Sequence, residues 1–226
     1  MLGAAVAAKL WPFVLVPVAL VWSARRGRAW AGLAGLAVAA AAFVPFAVIA
    51  PHGLWSSLSG QASRPLQIES LGAAILTTFG HPRVVTTHGS QNVAGHGLVA
   101  TVFTLLQVAA LVALWIAFAR GPATRERFLR YAAACVCAFV AFGKVLSPQF
   151  LLWLIPLVPL VAGRRGAGAV ALLTAALLLT QVWFPQRYWD YAGPFHLAWV
   201  VLLRDLVLVG LVGLLAWPGR RLAHTA

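Results

Sequence analysis

The residues able to do chemistry in this chain are few, and several stand where an apolar run would otherwise be unbroken. Lys144, Ser147, Pro148 and Gln149 interrupt residues 143–159, GKVLSPQFLLWLIPLVP, and Lys9 opens another such run. Arg204 and Asp205 are adjacent in a third. In hydrocarbon a charge at mid-depth costs about 2.5–3.5 kcal/mol, and a proline frees a carbonyl that a neighbour must satisfy. Such residues therefore reach an aqueous face or line a polar cavity. A lysine so placed either snorkels to the surface or clamps an anionic phosphate as a point charge. Arg204 and Asp205 point about 100° apart on a helix, so they need not pair with each other, and a structural interhelical tie is their expected use.

A second group lies in a polar segment, residues 51–91. Its stretch 64–80, RPLQIESLGAAILTTFG, has a proline suited to a first helical position and a glycine suited to a C-terminal cap. Ile68, Leu71, Ile75 and Phe79 recur at helical spacing, so the pattern predicts an amphipathic helix near residues 65–79, lying in the external interface. Gln67, Ser70 and Thr77 fall off that face. Glu69, the one acid of the segment, either pairs with Arg64 or Arg83 or serves as a base or hydroxyl acceptor. His52, His81, His88 and His96 show no HxxxH or HxH spacing and have no carboxylate cluster beside them, so no metal site is expected. They are free to donate to a lipid phosphate or to meet solvent. Cys135 and Cys137 are two apart, point to nearly opposite sides of a helix and form neither a CxxC nor a metal pair.

The elements that must position these residues are membrane helices. The 226 residues are 62% hydrophobic and 9% charged, against about 25% charged in a soluble domain. The 17 Lys+Arg and 4 Asp+Glu give a net charge of +13. Most arginines stand in short clusters between apolar runs, the pattern of cytoplasmic loops rather than of nucleic-acid binding. The runs 3–22, 30–50, 92–119, 129–146, 149–162, 167–184 and 196–217 approach the roughly 20 residues a crossing needs. Breaking the chain at Ser147-Pro148 puts Arg25, Arg26, Arg28, the 120–130 cluster, Arg164, Arg165, Arg220 and Arg221 on one side. The expectation is therefore an all-α polytopic fold of about seven transmembrane helices, N-terminus out and C-terminus in. It forms a single membrane domain, 1–226, with 51–91 as an external loop. Residues 9–27 and 149–166 echo each other, each with a polar outer residue, a Trp, two prolines and an inner Arg-Arg-Gly. Met1 precedes an apolar run with no basic n-region, so no signal peptide is expected.

Three stretches carry a resemblance. AKLWPFVLVP (residues 8–17), RPLQIESLGAAIL (64–76) and GKVLSPQFLLWLIPL (143–157) resemble segments of bacterial glycosyltransferase family 87. These are polytopic enzymes of the GT-C superfamily and include polyprenol-phosphate-mannose-dependent α-(1→2)-mannosyltransferases. The resemblance runs in order from Lys9 to about Pro159. It implies a multi-pass protein of the bacterial cell membrane that moves a sugar from a polyprenyl-phosphate donor to a glycolipid or glycan acceptor on the non-cytoplasmic face. No cofactor and no nucleic acid are implied. Membrane lipids are the surrounding partner. By the resemblance, Lys9, Lys144 and Arg64 would bind the donor phosphate, and Gln67, Ser147 and Gln149 would line the cavity. The superfamily's catalytic Asp lies in the first external loop, and the acids here, Glu69, Glu126, Asp190 and Asp205, include no counterpart. The chain thus reads as the C-terminal part of a longer enzyme, with Glu69 the one candidate for a base. A secondary transporter with intramembrane charges and broken helices, or a non-catalytic membrane scaffold, are the competing readings.

Overall fold

Prolines and small residues decide how the apolar runs fold. The structure, a computed structural model, describes residues 2–217; Arg220 and Arg221 lie outside the described residues. The chain opens with α1 (Leu2–Ala8), a 3-10 segment (Trp11–Leu15) and α2 (Val16–Arg25). Pro12 and Pro17 lack the amide hydrogen that one continuous helix would need, and each instead sits in the first two positions of a new segment. Next come α3 (Ala29–Ile49) and α4 (Pro51–Ala62). Gly3 of α1 lies so close to Gly35 of α3 that a Cβ on it would meet the Gly35 carbonyl oxygen at 2.0 Å. Small residues allow this approach of two backbones.

Residues 51–91, expected to be a polar loop, are largely ordered. After α4 come β1 (Leu66–Gln67), α5 (Leu71–Phe79), β2 (Val84–Thr87) and β3 (Ser90–Val93). The strands form an antiparallel sheet in the order β1-β3-β2, which departs from the all-α expectation in an otherwise helical chain. His88 and Gly89 close the β2–β3 hairpin with φ of 53° and 70°, the twist that a two-residue turn demands. The helix expected over 65–79 begins only at Leu71, because residues 66–67 pair with β3. Its faces do not divide as expected. Ile68 and Leu71 are buried, but so are Gln67, Ser70 and Thr77, whereas Ile75 and Phe79 are exposed.

The remaining elements are α6 (Gly97–Ala119), α7 (Arg125–Ala141), two 3-10 segments (Pro148–Trp153 and Val158–Leu160), α8 (Gly163–Trp183), α9 (Tyr188–Ala192) and α10 (Ala198–Ala216). Thr124 caps α7 by accepting from the Arg127 amide at 3.3 Å, with Glu126 in the first turn. From Arg130 to Ala141 almost every residue of α7 is buried, including Cys135 and Cys137. It is the central helix of the main core, apolar on all sides as such a position requires.

Among the described residues, four helices are long and apolar enough to cross a membrane, namely α3, α6, α8 and α10, and they mark the chain as a membrane protein. The other runs end up shorter. Run 3–22 is divided, run 129–146 gives the 17 residues of α7, and run 149–162 becomes the two 3-10 segments. Pro148, Pro156 and Pro159 account for the last. The echo between 9–27 and 149–166 has a structural form. Both contain 3-10 turns, and Trp11 stacks on Trp153 with centroids 4.6 Å apart and planes 6° from parallel.

Basic residues gather at one end. Arg25 donates to the carbonyls of Ala119 and Gly121, Arg127 to those of Ala117, Phe118 and Pro122, and Arg130 to that of Trp217. These contacts join the C-terminal ends of α2, α6 and α10 to the start of α7. The sheet, Arg64 and Lys144 are at the other end of α6 and α7.

Candidate anion-binding cleft

Between the end of α4, β1, the start of α6 and the segment after α7 lies a cleft of about 490 Å³. Arg64, His96 and Lys144 line it. Each is set by a different piece of backbone. Arg64 follows α4 and donates from Nη2 to Ser90 Oγ of β3 at 3.1 Å, while its Nε is buried with no partner. Lys144 follows the end of α7. Its Nζ donates to the Ala62 carbonyl at 2.5 Å, and its own carbonyl accepts from the Gln67 amide at 2.9 Å. It therefore satisfies an orphan carbonyl at the C-terminus of α4, where the helix dipole favours a cation. The Arg64 charge is near enough to act on the Lys144 ammonium. Two cations forced together without a carboxylate among the lining residues make a site that gains from an anion.

The end of α7 is made possible by α6. Gln107 Nε2 donates to the Phe139 carbonyl at 2.6 Å, which serves the helix end as the chain turns toward Lys144. The interruption at 143–148 is thus satisfied by side chains and by β1, and not by hydrocarbon.

Behind β1 lies a second polar cluster, sealed from the cleft. Glu69 is 3% exposed, and Arg204 and Asp205 are 0% exposed. Contrary to the expected partners, Glu69 meets neither Arg64 nor Arg83. Arg204 Nη2 donates to the Glu69 backbone carbonyl at 2.7 Å, tying α10 to the segment before α5. Arg204 Nε and Asp205 Oδ1 lie 2.8 Å apart, so these adjacent residues do pair, although not aligned as a hydrogen bond. The guanidinium also sits over the Trp183 ring, 5.7 Å from its centroid. The Tyr191 hydroxyl donates to the Ile68 carbonyl. Burial pushes the Glu69 carboxyl up to about 7, against the opposing pull of Arg204, Tyr188 and Gln67. A carboxyl held this way keeps its proton through mildly acidic pH and does not reach the cleft.

The site residues read from the sequence therefore divide. Arg64 and Lys144 come together. Lys9 does not join them; it is exposed, with Nζ 5.7 Å from the Trp153 ring centroid, because the break after α1 leaves it beside the stacked tryptophans. Gln67, within β1, is buried, Ser147 is half-buried and Gln149 exposed, and none of the three lines the cleft. His96 was one of four scattered histidines. Its flanking glycines, 95 and 97, at the threshold of an apolar run are the punctuation that marks where α6 begins and the cleft opens. Trp183, Tyr188 and Tyr191 carried no sequence signal, since their role depends on the end of α8 and on α9 reaching the segment before α5. A separate cavity of about 490 Å³ between α1, α2 and α3 is lined almost wholly by apolar residues and offers no comparable chemistry.

Comparison with known proteins finds no matching family model, no matching curated protein and no matching solved structure.

Proposed function

We propose that this chain is a membrane glycosyltransferase that takes a hexose, mannose by resemblance, from a polyprenyl phosphate. The sugar passes to a hydroxyl of a glycolipid or glycan on the non-cytoplasmic face of a bacterial cell membrane. The observation that carries this reading is the convergence of Arg64 and Lys144 on one cleft at the end of the bundle opposite the basic clusters. A leaving phosphate needs preorganised positive charge where its own charge develops, and a prenyl tail needs adjacent hydrocarbon. In the same reading the arginine-rich end is cytoplasmic. The three shorter segments, 3–22, 129–146 and 149–162, complete seven crossings with the N-terminus out and the C-terminus in.

The test is kinetic. The chain in liposomes containing polyprenyl-phosphate mannose is expected to transfer the sugar to an alkyl mannoside. Lys144→Ala and Arg64→Ala are each expected to raise the donor KM roughly ten- to a hundredfold, the range for losing a charge-assisted contact. Arg64→Ala leaves the Lys144 bond to Ala62 in place, so it separates phosphate binding from the capping of α4. A donor KM unchanged in both variants would remove the cleft from the reaction. The transporter alternative draws on the buried Arg204–Asp205 pair, but that pair is closed off from the cleft.

A further inference from the structure

Resting on the glycosyltransferase reading, we infer that His96 is the general base of the site and takes the proton of the attacking acceptor hydroxyl. The cationic cleft adjoins a second hollow of about 420 Å³, lined by Ile75, Leu76, Phe79, His81 and Pro82, and His96 is the one residue lining both. It stands where a donor phosphate held by Arg64 and Lys144 would meet an acceptor seated against Phe79 and His81. Phe79 is 80% exposed, and an exposed aromatic face next to polar groups suits the apolar side of a sugar ring.

The imidazole is oriented for this task. His96 Nδ1 is 2.8 Å from the Ala94 carbonyl oxygen. A carbonyl only accepts, so Nδ1 carries the hydrogen, and in the neutral ring Nε2 is left with its lone pair. Nε2 has no hydrogen-bond partner among the described residues and is not sealed from solvent. The side chain does not cap α6, although the residue stands at its N-cap. Ala94 is itself held, its amide donating to the Arg83 carbonyl at 2.9 Å, so the orienting carbonyl is fixed by the sheet. This is the base-and-orienter arrangement found at sites that abstract protons. Glu69 is buried behind β1 and cannot take the role.

The step balances. The acceptor oxygen forms a bond to the anomeric carbon. The bond from that carbon to the phosphate oxygen breaks, and its electron pair goes to the phosphate, which Arg64 and Lys144 hold. The hydroxyl proton passes to His96 Nε2 and leaves to solvent. The charged or titratable side chains facing the imidazole are Arg64 and Lys144 across the cleft and His81 across the hollow.

His96→Asn tests this, because the Asn amide can still donate to the Ala94 carbonyl while offering no base. Two readouts are taken on the full chain in liposomes: binding of polyprenyl phosphate, and transfer from polyprenyl-phosphate mannose to an alkyl mannoside. His96→Asn is expected to lower transfer by about 10²- to 10⁴-fold and binding by no more than about threefold, with an unchanged melting temperature. Transfer by the wild type is expected to fall on acidification, and the residual rate of the variant to lose that dependence. Transfer within about threefold of wild type, or an unchanged acidic limb, overturns the assignment. So does loss of binding and transfer together, which would make His96 a phosphate ligand. A wild type that neither binds polyprenyl phosphate nor transfers would overturn the glycosyltransferase reading itself and this inference with it.

Discussion

Glu69 shows how far one residue's environment can differ from its sequence setting. In the sequence it is the lone acid of a polar segment. In the fold it lies behind β1 with Arg204, Asp205, Tyr188, Tyr191 and Gln67 around it, and its pKa is raised to about 7. The folded state therefore holds a proton that the unfolded state releases above its ordinary carboxylate pKa near 4.5. Stability contributed by that proton is fully present below about pH 4.5 and is lost as pH rises through about 7. The loss is on the order of 3 kcal/mol, since each tenfold change in proton affinity is worth about 1.4 kcal/mol. Melting of the detergent-solubilised chain between pH 5 and 8 is expected to show this decline, and Glu69→Gln to flatten it and melt higher than wild type at pH 8. An equal slope in both proteins would mean that Glu69 does not titrate there. Arg64 and Lys144 were legible as candidates because a charge beside lipid calls for a reason. Their meeting was not legible, since it depends on the Lys144 carbonyl accepting from Gln67, a contact across the fold.

At the level of elements, the length of the apolar runs located the long helices but overestimated the proline-rich ones. Runs 3–22 and 149–162 have the composition of crossings, yet their prolines remove the backbone donors a continuous helix needs, and both adopt 3-10 turns. What compensates is packing between the two. Trp11 and Phe150 flank Trp153, with ring centroids 4.6 and 4.3 Å from it. A double-mutant cycle on Trp11→Ala and Trp153→Ala is expected to give a coupling of about 0.5–1.5 kcal/mol; additive effects would show that the segments are held independently. The helix expected from Pro65 failed at its start for a similar reason. Its apolar spacing was real, but residues 66–67 found a strand partner in β3 some 25 positions later, which a local window does not see. The hairpin could have been found, since β-branched Val84–Thr87 runs into His88-Gly89.

For the whole molecule, the basic clusters assemble at one end and the cationic cleft at the other, and α3 is covered by little of the protein. None of its residues is buried, and its surface is apolar from Trp30 to Ile49, as a lipid-facing helix requires. Thiol labelling tests the orientation. Cys135 and Cys137 are fully buried, so background reaction is expected to be slight. In cells, Thr87→Cys is expected to react with a membrane-impermeant maleimide, and Arg164→Cys only after permeabilisation. The reverse pattern would invert the topology and move the cleft to the cytoplasm. The most direct measurement is a single one, the transfer of labelled mannose from polyprenyl phosphate by the wild-type chain in liposomes, alongside Arg64→Ala. The expected result is a labelled glycosidic product whose formation requires a much higher donor concentration in the variant. Labelled mannose recovered only as unreacted donor, or product formed equally well by both proteins, would contradict the assignment of this cleft to a sugar-phosphate donor.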